Sequence, residues 1–349
     1  MGREGLGALA LTFFFVASCA PATAISTLDL AVGFEHACVL REGRAICWGD
    51  DRFGQLGRSE ASESPRAPAP LLDAREVIDV AAGGSSTCVL DAHGLVRCVG
   101  LNRHGQLGDG STESRATLEL VHALPPASAI TVGADHACAI ADGDAWCWGW
   151  NGTGQVGIEG GGDVLTPHRV EGVHDAVVIV AGYLDTCAIE RDETLVCWGA
   201  LHGPPTAWGL ARAVAIGVDH VCAIREDETR CLGAEPGGGR PPLETEGRVY
   251  GAGGVAGGGA VDHLCVIDRA GALACWGKNE HGQLGNGSQR FAISHEPVPL
   301  DAPARAVGVG VAFSCALSGT EVLCWGDDTR GQLGDGGGLP SFSPLALTL

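Results

Sequence analysis

Val132-Gly133-Ala134-Asp135-His136-Ala137-Cys138-Ala139-Ile140-Ala141-Asp142-Gly143-Asp144-Ala145-Trp146-Cys147-Trp148-Gly149 places two short apolar runs on either side of an Asp-Gly pair. Asp-Gly favours the two-residue hairpin loop, so the stretch predicts two antiparallel strands turning at Asp142-Gly143. Pairing about that centre sets Cys138 opposite Cys147. Glu42-Gly43 and Gly319-Thr320 give the same register to Cys38/Cys47 and Cys315/Cys324. In units two and six, where the cysteines are ten apart, three-residue loops ending in Gly94 and Gly271 restore it.

The pattern recurs along the whole chain. Fourteen of the 15 cysteines fall into seven couples: Cys38/Cys47, Cys88/Cys98, Cys138/Cys147, Cys187/Cys197, Cys222/Cys231, Cys265/Cys275 and Cys315/Cys324. First cysteines are separated by 50, 50, 49, 35, 43 and 50 residues, the mark of a repeat architecture. A glycine follows each second cysteine by two positions, and Trp48, Trp148, Trp198, Trp276 and Trp325 stand between, with Val99 and Leu232 in the other two units. Gly-Gln-Leu-Gly, or Gly-Gln-Val-Gly in unit three, begins at Gly54, Gly105, Gly154, Gly282 and Gly331.

Counting outward from either turn puts each couple on a non-hydrogen-bonded ladder site, where Cα atoms lie about 4.5 Å apart. A disulfide accepts about 4.4–6.8 Å, so seven bonds within hairpins are expected. The rival reading, seven His-x-Cys metal sites, draws on His36, His136, His220 and His263, but Ser86, Asp185 and Phe313 replace histidine elsewhere. No cofactor is expected.

Val32 to Leu40, Ala45 to Gly49 and Gly54 to Gly57, with their counterparts in Val132 to Gly157, Asp262 to Gly285 and Val309 to Gly334, resemble the RCC1 (regulator of chromosome condensation) repeat in order and spacing. The resemblance implies an all-β, seven-bladed β-propeller with mostly four-stranded antiparallel blades over residues 25–349. Radial stacking lets each small sheet bury both faces against its neighbours. Blades four and five lack Gly-Gln-Leu-Gly and are expected to be shortened. Ser343-Pro344-Leu345-Ala346-Leu347-Thr348-Leu349 matches the Pro297-Val298-Pro299-Leu300 segment ahead of unit seven, so the C-terminal strand is expected to complete the first blade and close the ring.

At the other end, Leu6 to Val16 is an apolar run of signal-peptide length. Val16-Ala17-Ser18-Cys19 matches a lipobox, giving a signal peptide at 1–18, a lipidated Cys19 and a short linker at 19–24. Ala22-Thr23-Ala24 offers the alternative, cleavage after 24 and a soluble secreted or periplasmic product. The lipobox reading, a cell-surface or outer-membrane lipoprotein touching membrane only through its anchor, is preferred because the match ends the apolar run directly.

A net charge of −20 disfavours contact with phosphate backbones, so nucleic acid is not an expected partner. Nucleophile elbows, His-Glu-x-x-His and phosphate-binding glycine loops are absent from the sequence. A non-catalytic scaffold recognising a protein or glycan is therefore expected, through Asp50-Asp51-Arg52-Phe53, Asn102-Arg103-His104, Asn151-Gly152-Thr153 and Lys278-Asn279-Glu280-His281. The recurrent tryptophans read as packing between blades, whereas Trp146 and Trp150 read as surface candidates, Trp146 equally as a core residue. Gly-Asp-Gly and Gly-Asn-Gly at Gly108, Gly285 and Gly334 read as plain turns rather than calcium loops. Alternatives are an inhibitor of a secreted or periplasmic enzyme, by fold-level analogy, a nucleotide exchange factor, by family analogy, and a propeller enzyme with a scattered site.

Overall fold

The structure is a computed structural model that describes residues 29–217, 220–225, 228–233, 247–250, 263–268 and 270–349. Cys19 and the expected signal segment lie outside the described residues. Among the described residues seven antiparallel sheets follow one another, one per cysteine couple. Unit one holds β1 (Asp29–Val32), β2 (His36–Arg41), β3 (Arg44–Asp51) and β4 (Ser62–Pro70); unit two β5 (Val77–Ala82), β6 (Ser86–Asp91), β7 (Val96–Gly100) and β8 (Arg115–Leu120). Unit three holds β9 (Ala127–Val132), β10 (His136–Ala141), β11 (Asp144–Gly149) and β12 (Val164–Arg169); unit four β13 (Ala176–Ala181), β14 (Asp185–Glu190), β15 (Thr194–Gly199) and β16 (Gly203–Leu210). Unit five holds β17 (Ala213–Ile216), β18 (His220–Arg225) and β19 (Glu228–Gly233); unit six β20 (Gly247–Tyr250), β21 (His263–Asp268), β22 (Leu273–Gly277) and β23 (Ala292–Pro297). Unit seven holds β24 (Ala304–Val309), β25 (Phe313–Ser318), β26 (Glu321–Gly326) and β27 (Ser341–Ala346). The fold is an all-β propeller, and the described residues contain no helix.

The central hairpins take the expected register. Cys38 pairs with Cys47, Cys138 with Cys147 and Cys315 with Cys324. Positive φ at Glu42 and Gly43 (52° and 73°), and at Asp142 and Gly143 (54° and 81°), is what the two-residue loop requires. The couples ten residues apart face each other too: Cys88 with Cys98, Cys187 with Cys197 and Cys265 with Cys275. Their loops end in the left-handed region at Gly94 (φ 81°), Glu193 (71°) and Gly271 (84°), so the third loop position matters more than its being glycine.

Six couples are joined as disulfides: Cys38–Cys47, Cys88–Cys98, Cys138–Cys147, Cys187–Cys197, Cys265–Cys275 and Cys315–Cys324. Their Cα atoms lie 4.1 Å apart, which corrects the wider ladder spacing expected from the sequence. The bond draws the two strands together at a site where no backbone hydrogen bonds hold them at a fixed distance. Cys222 is also disulfide-bonded and stands opposite Cys231 in the ladder. Formed disulfides fit an oxidising compartment.

Buried clusters lie between neighbouring sheets, because a single four-stranded sheet has two apolar faces; one of them runs through units five, six and seven, from Ala215 through Leu264 to Trp325. Leu90, Val96 and Leu107 of unit two pack with Ile130, Ala139 and Trp148 of unit three. Ile140, Val156 and Val170 pack with Ile179, Val196 and Trp198 of unit four. Ala37, Val39 and Trp48 of unit one pack with Phe313, Leu317 and Leu333 of unit seven.

Two expectations about strands are corrected. The C-terminal strand β27 pairs with β26 and completes the last sheet; unit one already has β1 to β4 of its own. Leu347 and Leu349 reach unit one instead as side chains, packed on the cluster that contains Trp48. Unit four is likewise four-stranded, not trimmed to fewer strands: β15 reaches β16 through three residues, Ala200 to His202, so a loop is missing rather than a strand. Unit five shows three strands among its described residues, and residues 234–246 lie outside them.

Candidate functional site

The loops that follow the innermost strands and those that follow the Cys-Trp-Gly strands share one face. Asp50 N–H donates to Glu35 O at 2.9 Å, Trp150 N–H to Asp135 O at 2.8 Å and Asp327 N–H to Ala312 O at 2.8 Å. Leu101 N–H donates to Ser85 O at 2.9 Å in the same way, so the loops of units one, two, three and seven open on the same side, and His281 of the unit six loop lies against Asp327 on it. Each begins on a buried Asp or Asn whose Oδ1 accepts a backbone N–H five residues on: Asp51 from Leu56, Asn102 from Leu107, Asn151 from Val156, Asn279 from Leu284 and, in unit seven, Asp328 from Leu333, at 2.8–3.0 Å.

The glutamine of Gly-Gln-Leu-Gly closes the same frame. Oε1 of Gln55, Gln106, Gln155, Gln283 and Gln332 accepts the N–H two residues earlier, and Nε2 donates to Asp50, Asp135 and Asp327 in units one, two and seven. Its backbone carbonyl takes the indole N–H of the next unit's tryptophan: Trp148 on Gln106, Trp198 on Gln155 and Trp325 on Gln283, at 2.8–2.9 Å. The recurrent tryptophans are packing residues, as expected. Trp276, which follows a unit without Gly-Gln-Leu-Gly in its sequence, meets the His295 ring at a tilt of 58° with ring centres 4.3 Å apart.

The histidines are also spent on the frame. His36 meets Thr87 Oγ1 at 2.9 Å, His136 meets Thr186 Oγ1 at 2.8 Å and His263 meets Ser314 Oγ at 2.8 Å, each in the following unit. Thr186 and Ser314 give their own protons to Gln155 O and Gln283 O, so His136 and His263 must donate through Nε2. Burial pushes His36 down to about 4 and His136 and His263 down to about 3. The side chain of His220 lies outside the described residues.

The exposed part of the face is built from what this constant frame carries. Arg52 pairs with Glu35 and, at 2.8 Å, with Asp50; His104 meets Asp163 at 3.0 Å; His281 lies 3.8 Å from Asp327. Burial raises the Glu35 and Asp135 carboxyls despite neighbouring Arg52 and His104. Trp150 is half-buried on this face, its ring 6.2 Å from His104. Trp146 belongs elsewhere: it is half-buried on β11 opposite Arg169 of β12. Asp109 and Asn286 bond Ser111 and Ser288 within their own loops, as plain turns do.

Two hollows lined by described residues bear on the site. The innermost strands enclose a cavity of about 170 Å³, with Phe34 and Tyr183 at 6.3 Å; Tyr183 is the single titratable side chain of its described lining. The larger, about 370 Å³, lies between unit three's Gly-Gln-Val-Gly loop and β16, beside Gly154, Ile158 and Pro204. Sequence reasoning misses it. Its signal is present in the 35-residue step and the absent loop of unit four, which on sequence alone suggest lost strands.

A propeller of hairpin repeats, each tied to the next through tryptophan and glutamine, defines the class. A family model described as the regulator of chromosome condensation (RCC1) repeat matches residues 42–90, 142–189 and 270–317, and a second model of the same repeat matches 28–55 and 77–106. The chain belongs to the RCC1 repeat family. It is similar to the ultraviolet-B receptor UVR8 of Arabidopsis thaliana, 27% identical over 273 residues, which cover 74% of this chain and 55% of the receptor. The chain thus spans about half of that relative, and 5% of another, the mouse E3 ubiquitin-protein ligase HERC2. Among solved structures it resembles Prp20p of Saccharomyces cerevisiae, with TM-score 0.54, 18% identity and coverage of 92% of this chain and 76% of that one. The ectodomain of the Arabidopsis thaliana receptor kinase ACR4 gives TM-score 0.52 at 16% identity, covering 92% and 98%.

Proposed function

We propose that the protein is a non-catalytic scaffold outside the cytoplasm that binds a partner protein through its loop face. One observation carries this reading: the Asp/Asn Oδ1 and the Gln Oε1 accept the same two backbone N–H groups in all five complete loops, while the residues these loops present differ, from Arg52-Phe53 through Arg103-His104 and Gly152-Thr153 to Glu280-His281 and Thr329-Arg330. A rigid frame lowers the ordering cost of binding, and varied side chains on it give specificity. Prp20p, of similar fold, has binding properties toward Gsp1p and histones, which supports a protein ligand. The formed disulfides and the Val16-Ala17-Ser18-Cys19 motif support export with a lipid on Cys19.

The seven sheets, in this reading, close into a seven-bladed ring at the unit seven to unit one junction. Val311 N–H donates to Phe34 O at 3.0 Å, and Trp48 shares a cluster with Phe313. The test of function is saturable binding to proteins of the cell envelope by the intact chain and by an Arg103→Glu/Arg330→Glu variant. Binding that the charge reversals leave unchanged sinks the loop-face assignment. Mass spectrometry of the mature protein reads the Cys19 lipid directly.

A further inference from the structure

Three junctions between units are filled in one way. Ala116, Leu165 and Phe342, each second in an outer strand, lie over Gly54, Gly105 and Gly282 of the preceding unit, so that a Cβ on any of these glycines would overlap them. The backbone is fixed as well: the N–H groups of Ser59, Gly110 and Gly287 donate to the carbonyls of Ala116, Leu165 and Phe342 at 3.1, 3.1 and 2.8 Å. Each socket thus holds one apolar side chain of an extended segment and donates an N–H to its carbonyl.

The junction of units three and four has the socket without the plug. With only three residues between β15 and β16, unit four sends no residue over Gly154, and a Cβ there would meet nothing within 4 Å. Glu159, five positions after Gly154 as Ser59 is after Gly54, finds no outer-strand carbonyl for its N–H among the described residues. The result is the 370 Å³ pocket. Its wall is also unlike the others. Where units two, six and seven carry Asp109, Asn286 and Asp335, unit three carries Ile158, part-exposed on the pocket. Beside it the Glu159 carboxylate is exposed and, among the described residues, makes no ion pair.

We propose that this pocket is a docking site for an extended segment of a partner protein, which seats a Leu- or Phe-sized side chain over Gly154 and against Ile158. The segment's carbonyl accepts from Glu159 N–H, and a basic residue next to the apolar one meets the Glu159 carboxylate. The chemistry is that of the chain's own strands in the sister sockets, supplied from outside, a form of strand addition. The inference rests on the loop-face reading and adds to it where the partner inserts and with what.

The probe is a synthetic peptide copying residues 339–347, which contains Phe342, titrated against the intact disulfide-bonded protein by calorimetry. Saturable binding is expected, weakened about tenfold or more by Phe342→Asp in the peptide and by Ile158→Asp or the milder Ile158→Ala in the protein. Ser343→Lys in the peptide strengthens binding, and Glu159→Gln in the protein abolishes that gain. No saturable binding, or binding indifferent to both Ile158 variants in protein with unchanged circular dichroism, overturns the proposal. If the peptide fails while capture of envelope proteins still responds to Arg103→Glu/Arg330→Glu, this socket is wrong and the broader loop-face function stands.

Discussion

The indole N–H of Trp48 donates to the backbone carbonyl of Gln332 at 2.9 Å, joining the first unit to the last across 284 positions of sequence. The same bond joins Trp148 to Gln106 within the chain, at 2.9 Å. Trp48→Phe removes the donor and strands a buried carbonyl, at a cost of about 1–3 kcal/mol. The expected drop in urea midpoint is comparable to that of Trp148→Phe. A Trp48→Phe protein as stable as the parent would show that the end junction carries no load.

The hairpin register, the cysteine pairing and the inter-unit role of the tryptophans are legible because they rest on local spacing: Asp142-Gly143 fixes Cys138 opposite Cys147 without knowledge of any other unit. The same holds for Cys88/Cys98 and Cys265/Cys275, whose extra residue is absorbed in the turn, while the distance between the paired strands depends on the bond itself. The pairing of β27 is not legible, since Ser343 to Leu347 carries the same pattern whichever sheet it joins. The pocket beside Gly154 is hidden for a related reason. It depends on what a neighbouring unit fails to supply, and the spacing within a single unit carries the shortened step but not the space it leaves.

Glu193 closes the three-residue turn between β14 and β15 with φ 71°, where units two and six use Gly94 and Gly271. A side chain in the left-handed region costs roughly 1 kcal/mol, which glycine avoids. Glu193 also has an exposed ion pair to Arg212 at 3.3 Å, worth little in solvent. Glu193→Gly is therefore expected to raise the midpoint of thermal unfolding by a few degrees. Glu193→Ala, which keeps the Cβ, should not.

His36, His136 and His263 are neutral in the folded protein, depressed by burial to about 4, 3 and 3, and regain a pKa near 6.5 on unfolding. Between these values the unfolded chain binds more protons, so the stability they preserve is complete above about pH 6.5 and is lost as pH falls toward 4 and below. Asp79 and Asp328, raised by burial to about 6, act in the opposite sense: below about pH 6 the folded state holds protons that the unfolded chain releases until about 3.8. Urea midpoints from pH 7.5 to 4.5 should fall less steeply in a triple His→Gln variant than in the parent. Equal slopes would mean that the three imidazoles are not the source of acid sensitivity.

The five frame glutamines look alike in sequence but differ in what their Nε2 meets. Gln55 donates to Asp50 at 2.8 Å and Gln332 to Asp327 at 2.9 Å, whereas Nε2 of Gln155 is buried with no hydrogen-bond partner. Glutamate at position 55 or 332 would set two carboxylates against each other in a buried site, which can be relieved only by one of them taking a proton. At position 155 no carboxylate faces it, and the cost is burial alone. Gln55→Glu and Gln332→Glu should therefore destabilise more than Gln155→Glu at pH 8, and the gap should narrow toward pH 5 as a shared proton binds the pair. A gap that stays constant over that range would mean that the loss comes from the broken loop frame, with no repulsion between carboxylates.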